Sequence, residues 1–209
     1  MSTAKAKKTG RRPGDSGSRE AIAVAARAQF AETGYDRATM RAIAQRAGVD
    51  PALVLHFFGS KEGLFREVMA MPPAFTERLA SLANGPRETV GRRLAEVVVA
   101  ALENPATRAV VVGRIRSATS HAEAAELVRQ TVTRDLMALA SALTDDHPEA
   151  RAAFAAVQVV GVTLVRYIVA VEPLASMPPN ELVDAMAPAF QRCLVEPLGA
   201  STAVDVNDV

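Results

Sequence analysis

The sequence predicts an all-α protein: a three-helix unit with a helix-turn-helix near the N-terminus, followed by a larger helical unit, about nine helices in total. Three observations carry this. Apolar residues recur at spacings of three and four, and the short valine runs Val97 to Val99 and Val110 to Val112 sit inside that periodicity rather than in strand alternation. Helix caps and prolines punctuate the periodic stretches. Charge is unevenly spread: up to Arg66 there are twelve basic and six acidic residues, a net of +6, so the rest carries −5 in a chain whose total is +1. A basic N-terminal third on an acidic body suits a nucleic-acid binder, although a merely solvated charged surface would look the same.

Taken in order, residues 1–15 lack apolar periodicity and read as a disordered basic arm carrying Lys5, Lys7, Lys8, Arg11 and Arg12. Such an arm could track phosphates or simply keep the chain soluble. From Ser18, Ile22, Ala26 and Phe30 mark one face of a helix stopped by Gly34. Thr39 caps a second helix with Met40, Ile43, Ala44 and Ala47 on one face, ended by Gly48. Asp50 caps a third, with Pro51 at its first position, where a missing N–H is harmless. Ser60 caps a fourth through Leu64, Phe65 and Met69, ended by Pro72 and Pro73. Further helices are expected from Pro86 to Asn104, Pro105 to Ser120 and Ala122 to Leu143. Two more are expected after Pro148 and from Pro179 to about Leu194. The domains are therefore drawn at 16–76 and 77–199, with a disordered tail at 200–209.

Composition excludes several classes. The chain has 209 residues, 49% hydrophobic and 22% charged, enough for a sizeable core and unlike a fibrous or disordered protein. The apolar stretch from Ala152 to Val171 contains Gln158 and Arg166, so it reads as a buried helix rather than a membrane span. No apolar run follows the N-terminal charges, so a secretory signal is not expected. The single cysteine, Cys193, fits a reducing cytoplasm and a small core residue. His56, His121 and His147 have no metal-ligand spacing with each other or with Cys193. No phosphate loop or nucleophile elbow appears, so no catalytic residue, metal or cofactor is assigned.

The segment from Thr39 to Phe58 meets the demands of a helix-turn-helix. Ala44 is small where the helices cross, Gly48 tolerates positive φ at the turn, and Ile43, Ala47, Val49, Val54 and Phe57 can lock the pair. The helix beginning at Pro51 would offer its N-terminal end to a major groove.

The stretch from Phe30 to Val49, with Gly34, Tyr35, Thr39 and Gly48, continued by His56, Phe57, Phe58, Gly59, Ser60 and Lys61 to Phe65, resembles the DNA-binding domain of TetR-family regulators. Gly113 to Ala118 and Arg166 to Ser176 carry a weaker likeness to the ligand-binding and dimerisation domain of one subgroup. The resemblance implies double-stranded DNA as partner, a palindromic operator bound by a homodimer, and release by a small-molecule effector. It implies phosphate contacts by Thr39, His56 and Lys61, and a phosphate or base contact by Arg41. Pro51, Ala52 and Leu53 fall at the base-contacting start of the recognition helix, where Ala52 and Leu53 can offer only apolar contact. Leu55 stands where the family usually has a tyrosine, so that phosphate grip is absent. Dimerisation would use the last two long helices.

For an effector, Arg114, Arg116, His121 and Arg166 are the candidate polar residues in otherwise apolar helices, each able instead to pair with Glu123, Glu126 or Glu172. A ligand-independent DNA binder, or a helical carrier or enzyme with an incidental helix-turn-helix, are the rival readings.

Overall fold

The computed structural model describes residues 13–198. The five basic side chains expected in the arm, and the expected tail at 200–209, lie outside the described residues. Helix α1 (Pro13–Arg37) starts before Ser18. Its expected stop is real: Gly34 has φ 74 and ψ 175, which breaks the helix before one further turn reaches Arg37. Ile22, Ala26 and Phe30 are fully buried. They pack on α2 (Met40–Ala47), α3 (Pro51–Phe58) and α4 (Lys61–Val68) through Ile43, Ala44, Val54, Leu64 and Phe65. Phe65 meets Phe30 and Tyr35 edge-on, at 4.9 and 5.0 Å between ring centroids. Such pairs add roughly 0.5–1.5 kcal/mol each beyond burial.

The chain then enters a second core. Pro73 does not merely break the preceding helix; it stands at the first position of an unexpected one, α5 (Pro73–Ser81). Two 3₁₀ turns, Leu82–Asn84 and Arg87–Thr89, lead into α6 (Val90–Glu103). Asn104, whose side chain accepts from the N–H groups of Ala106 and Thr107, starts α7 (Pro105–Ala118). The long helix expected from Ala122 is a single rod with a defect: α8 (Ala122–Gln130) and α9 (Met137–Leu143) are joined by π-helical turns over Thr131–Leu136. Helix α10 (Pro148–Thr163) likewise runs on into a π-helical stretch, Leu164–Val169, and α11 (Pro179–Leu194) closes the fold. With α8 and α9 taken as one rod, the described residues form 10 helices and no strand, the extra one being α5.

Helices α6 and α11 approach so closely that a Cβ on Gly91 would lie 2.4 Å from the backbone N of Gln191. The Gly91 N–H is donated to the Gln191 side-chain oxygen, 2.8 Å away. Helix α10 is buried on one side only within the chain. Ala152, Ala155 and Ala156 face the core, while Phe154, Val157 and Leu164 are exposed, Val157 by 60%. The segment Pro148–Val169 is long and apolar enough to cross a membrane by length and composition alone. Its first turn is anchored to the chain by the buried Arg151, which donates to the carbonyls of Asp146, Cys193 and Glu196.

Candidate functional site

The turn between α2 and α3 is built from local bonds. The Thr39 hydroxyl accepts from the Ala42 N–H at 3.1 Å, and the Asp50 carboxylate accepts from the Ala52 N–H at 2.8 Å. Gly48, at φ 67 and ψ 34, donates to the carbonyls of Ala44 and Gln45. An L-residue would be strained there, and the left-handed turn is what swings α3 across α2. Ile43, Ala44 and Val54 are fully buried at the crossing, with Ala47, Val49 and Phe57 half-buried around them.

What remains outside is the face that matters. Pro51, Ala52, Leu55 and His56 of α3 are exposed, as are Thr39, Arg41 and Gln45 of α2; Leu53 is half-buried. Leu55, at 50% exposure, is a large apolar side chain held in solvent by the Val54 and Phe58 anchors on either side. Arg41 and Gln45, one turn apart, extend the same surface. Gln45 was not singled out from the sequence, and Leu55 only as the position of the family's tyrosine, because their exposure depends on which face the fold buries. Lys61 is half-buried; its ammonium lies 4.2 Å from the centroid of the Tyr35 ring and 3.4 Å from the Asp36 carbonyl. Burial lowers its pKa, against Asp36 and Glu62, which raise it. The domain is braced by two-pronged ion pairs, Arg46 on Glu32 and Arg19 on Glu67, at 2.6–2.7 Å.

In the second core, a partly open apolar cavity of about 90 Å³ lies between α5, α6, α7, α8 and α10. Leu79, Val98, Leu102, Leu136, Ala156 and Val159 are among its walls, and among the described residues Arg114 is the one charged residue lining it. The four candidate effector residues are not gathered there. Arg114, 7% exposed, donates through Nε to the Met69 carbonyl at 2.6 Å. Burial pushes its pKa down to about 10, the nearby Asp135 opposing. Arg116 reaches the Glu32 carbonyl at 3.5 Å. His121 stacks on Tyr35. Arg166 lies at the far end of α10, with Nη2 3.4 Å from Glu103, which also accepts from the Tyr167 hydroxyl at 2.8 Å. None of the three carboxylates expected as partners holds these arginines: Glu123 takes Arg66, Glu126 takes Arg129 and Glu172 takes Ser176.

The same two units are found in known proteins. Residues 22–68 match the bacterial regulatory proteins of the tetR family, and residues 88–194, more than half the chain, match the tetracyclin repressor-like C-terminal domain. The chain belongs to the TetR family. A TetR-family regulator from Streptomyces coelicolor A3 is 33% identical, with 88% of this chain and 98% of that one aligned at a TM-score of 0.61. SmeT, in a structure of its triclosan complex, shares the fold at 22% identity and a TM-score of 0.60, over 85% of this chain and 90% of that one. An HTH-type transcriptional repressor of Mycobacterium tuberculosis is 39% identical over 66 residues, 32% of this chain. That match spans 34% of the repressor's own length. This TetR-family chain is therefore a transcriptional regulator with a DNA-binding helix-turn-helix, and not an enzyme. Among the described residues no group of His, Cys, Asp or Glu could hold a metal ion.

Proposed function

We propose that the chain is a homodimeric repressor that binds a palindromic operator and leaves it when a small molecule enters the C-terminal unit. The exposed face of α2 and α3 carries this reading. A helix this short has no stability of its own; here Val54 and Phe58 anchor it so that Ala52, Leu55 and His56 project together. Thr39 and the α2 N-terminus offer a phosphate a hydroxyl and free N–H groups, and Arg41 adds charge. His56 and Lys61 are assigned to flanking phosphates, and Pro51, Ala52 and Leu53 to the base edges. Lys61 would have to leave the Tyr35 ring or act from where it is.

Three observations support the rest. Phe154 and Val157 on α10 and Leu164 just beyond it are exposed along one stripe, the half-buried Gly161 lies between them, and a Cβ on Gly161 would meet nothing within 4 Å. A second copy packed on that stripe and on the exposed Ala185 and Pro188 of α11 would bury it in a four-helix arrangement. The cavity beside Arg114 gives an effector a place, and SmeT binds triclosan. The Mycobacterium tuberculosis relative is a repressor, which favours repression over activation. Such a regulator works in the cytoplasm.

The test is a fluorescence-anisotropy titration of the full chain against DNA from its own upstream region, at several salt concentrations. Sequence-dependent, salt-sensitive binding by two copies per site is expected. Binding that ignores sequence would remove the repressor reading.

A further inference from the structure

Arg114 belongs to two places at once. It lines the apolar cavity, and its Nε is bonded to the carbonyl of Met69, the C-terminal cap of α4 in the DNA-binding unit. Residue 113 tightens the same joint, because a Cβ on Gly113 would lie 2.9 Å from the Met69 sulfur. The carbonyl one residue before Met69 is held by Arg27 of α1, whose Nε donates to Val68 at 3.2 Å. So the last turn of α4, adjacent to the helix-turn-helix, is held at consecutive carbonyls by an arginine of its own domain and an arginine of the cavity wall.

We propose that the cavity takes an uncharged, compact apolar molecule, and that Arg114 is the positioning residue through which its presence reaches Met69 and α4. This rests on the ligand-responsive reading above and specifies it. The ligand class follows from the walls. Met71, Phe75, Leu94, Ala101, Val111 and Ile115 continue the apolar lining, and Arg114 is the only described residue there with a charged head. That head is turned to the Met69 carbonyl and feels Asp135 nearby. A charged ligand would leave water for a chamber in which the single cation is already engaged, which is unfavourable for either sign. An uncharged apolar molecule gives up little on entry and gains contact with every wall.

Size supplies the mechanical step. An apolar cavity of roughly 150 Å³ holds benzene, whereas this one measures about 90 Å³. A ring-sized ligand seated wholly inside it pushes its walls outward. The half-buried Met71 and Phe75, just beyond α4, and the stem of Arg114 are walls that lead directly to that joint. Displacing the stem shifts the guanidinium, and with it the carbonyl it holds.

The experiment uses the full chain with ethylbenzene, phenylacetate and benzylamine, three probes of similar size differing in charge. Binding is read by calorimetry and thermal shift, and operator affinity by anisotropy. Ethylbenzene is expected to bind at least tenfold more tightly than either charged probe and to weaken operator binding about tenfold. Arg114→Met keeps an apolar stem without the guanidinium. With the variant saturated with ethylbenzene, as followed by calorimetry, the weakening of DNA binding should shrink to about twofold or less. Arg114→Lys, which keeps stem and charge, serves if the first variant does not fold, and should lose part of the coupling. Tighter binding of phenylacetate or benzylamine overturns the ligand class. Undiminished coupling in the folded Arg114 variants overturns the role of Arg114. If the chain binds no operator, the repressor reading fails, and the calorimetric ranking of the three probes still decides the ligand class.

Discussion

Tyr35 and His121 lie ring on ring, their centroids 3.5 Å apart and their planes 9° from parallel. This stack joins the end of α1 to the turn between α7 and α8. The Tyr35 hydroxyl donates to Glu62 of α4 at 2.8 Å, and its backbone N–H donates to the Ser117 hydroxyl of α7 at 2.9 Å. Burial, then the bond to Glu62 and its charge, holds the phenol far above the usual tyrosine range. The Glu62 backbone N–H, then this same bond and one from Ser60, hold the Glu62 carboxyl below its ordinary range. Tyr35 thus ties the DNA-binding unit to the C-terminal unit.

Tyr35→Phe keeps the stack and removes the hydroxyl, and should cost about 1 kcal/mol. The sign with pH follows from the raised pKa: folding favours the protonated phenol. Its stability contribution is complete below the unfolded value near 10.0 and declines as pH rises above it toward the folded value. Denaturant unfolding at about pH 8 and about pH 11 should therefore show a larger loss for the parent than for Tyr35→Phe. Equal losses would mean that the phenol is not desolvated in this way.

On the exposed face, Arg41→Ala should weaken operator binding and lower the salt slope by about 0.9, the signature of one lost phosphate contact. Leu55→Tyr should act in the opposite direction. Leu55 is half exposed between Ala52 and His56, and a phenol there could reach a phosphate oxygen. A gain of about 0.5–1.5 kcal/mol, or roughly two- to tenfold in affinity, is expected. Anisotropy titrations of both variants across a salt series decide this; an unchanged slope for Arg41→Ala would place that side chain off the DNA.

The stripe on α10 makes a separate prediction. Phe154→Glu puts a charge in place of the largest side chain of an apolar face that is exposed in the single chain, so the fold should survive with little change in unfolding midpoint. Dimerisation should weaken by about 2–4 kcal/mol, as for a central aromatic anchor. Sedimentation velocity reads the outcome. A monomeric parent, or a variant that dimerises normally, would remove α10 from the interface.

How much of this could be read beforehand depended on the range of the interactions. The caps at Thr39, Asp50 and Ser60 were legible because each bonds an N–H two or three residues away. Gly34 and Gly48 were legible because glycine alone enters those conformations freely. Helix α5 was missed because Pro72 and Pro73 break one helix and start another, and proline reads the same in both roles. Arg114, Arg116 and Arg166 were legible as charge in otherwise apolar helices and no further. Arg114 finds a carbonyl 45 positions earlier in the chain, and Arg116 one 84 earlier, and no local pattern encodes such partners.

Two glycines test the distinction between conformation and space. Gly48 has positive φ, and a Cβ added to it would meet nothing within 4 Å, so Gly48→Ala should cost only the left-handed strain, about 1–2 kcal/mol. Gly91 has ordinary helical φ and ψ, but its Cβ would meet the Gln191 N at 2.4 Å, the Ala187 carbonyl at 2.5 Å and the Gln191 Cα at 2.7 Å. All three are backbone atoms of α11, which cannot step aside as a side chain can. Gly91→Ala gains roughly 0.8–1 kcal/mol of intrinsic helix propensity. Against that stands the separation of α6 from α11, typically about 1–3 kcal/mol for an overpacked site and more where backbone must move. A net loss is expected, with the larger effect on packing observables. Hydrogen exchange should quicken along α6 and α11 in Gly91→Ala and only around the α2–α3 turn in Gly48→Ala. If Gly91→Ala proves neutral or stabilising, the α6–α11 contact is looser than these distances imply, and so is the support it gives the cavity wall at Leu94 and Val98.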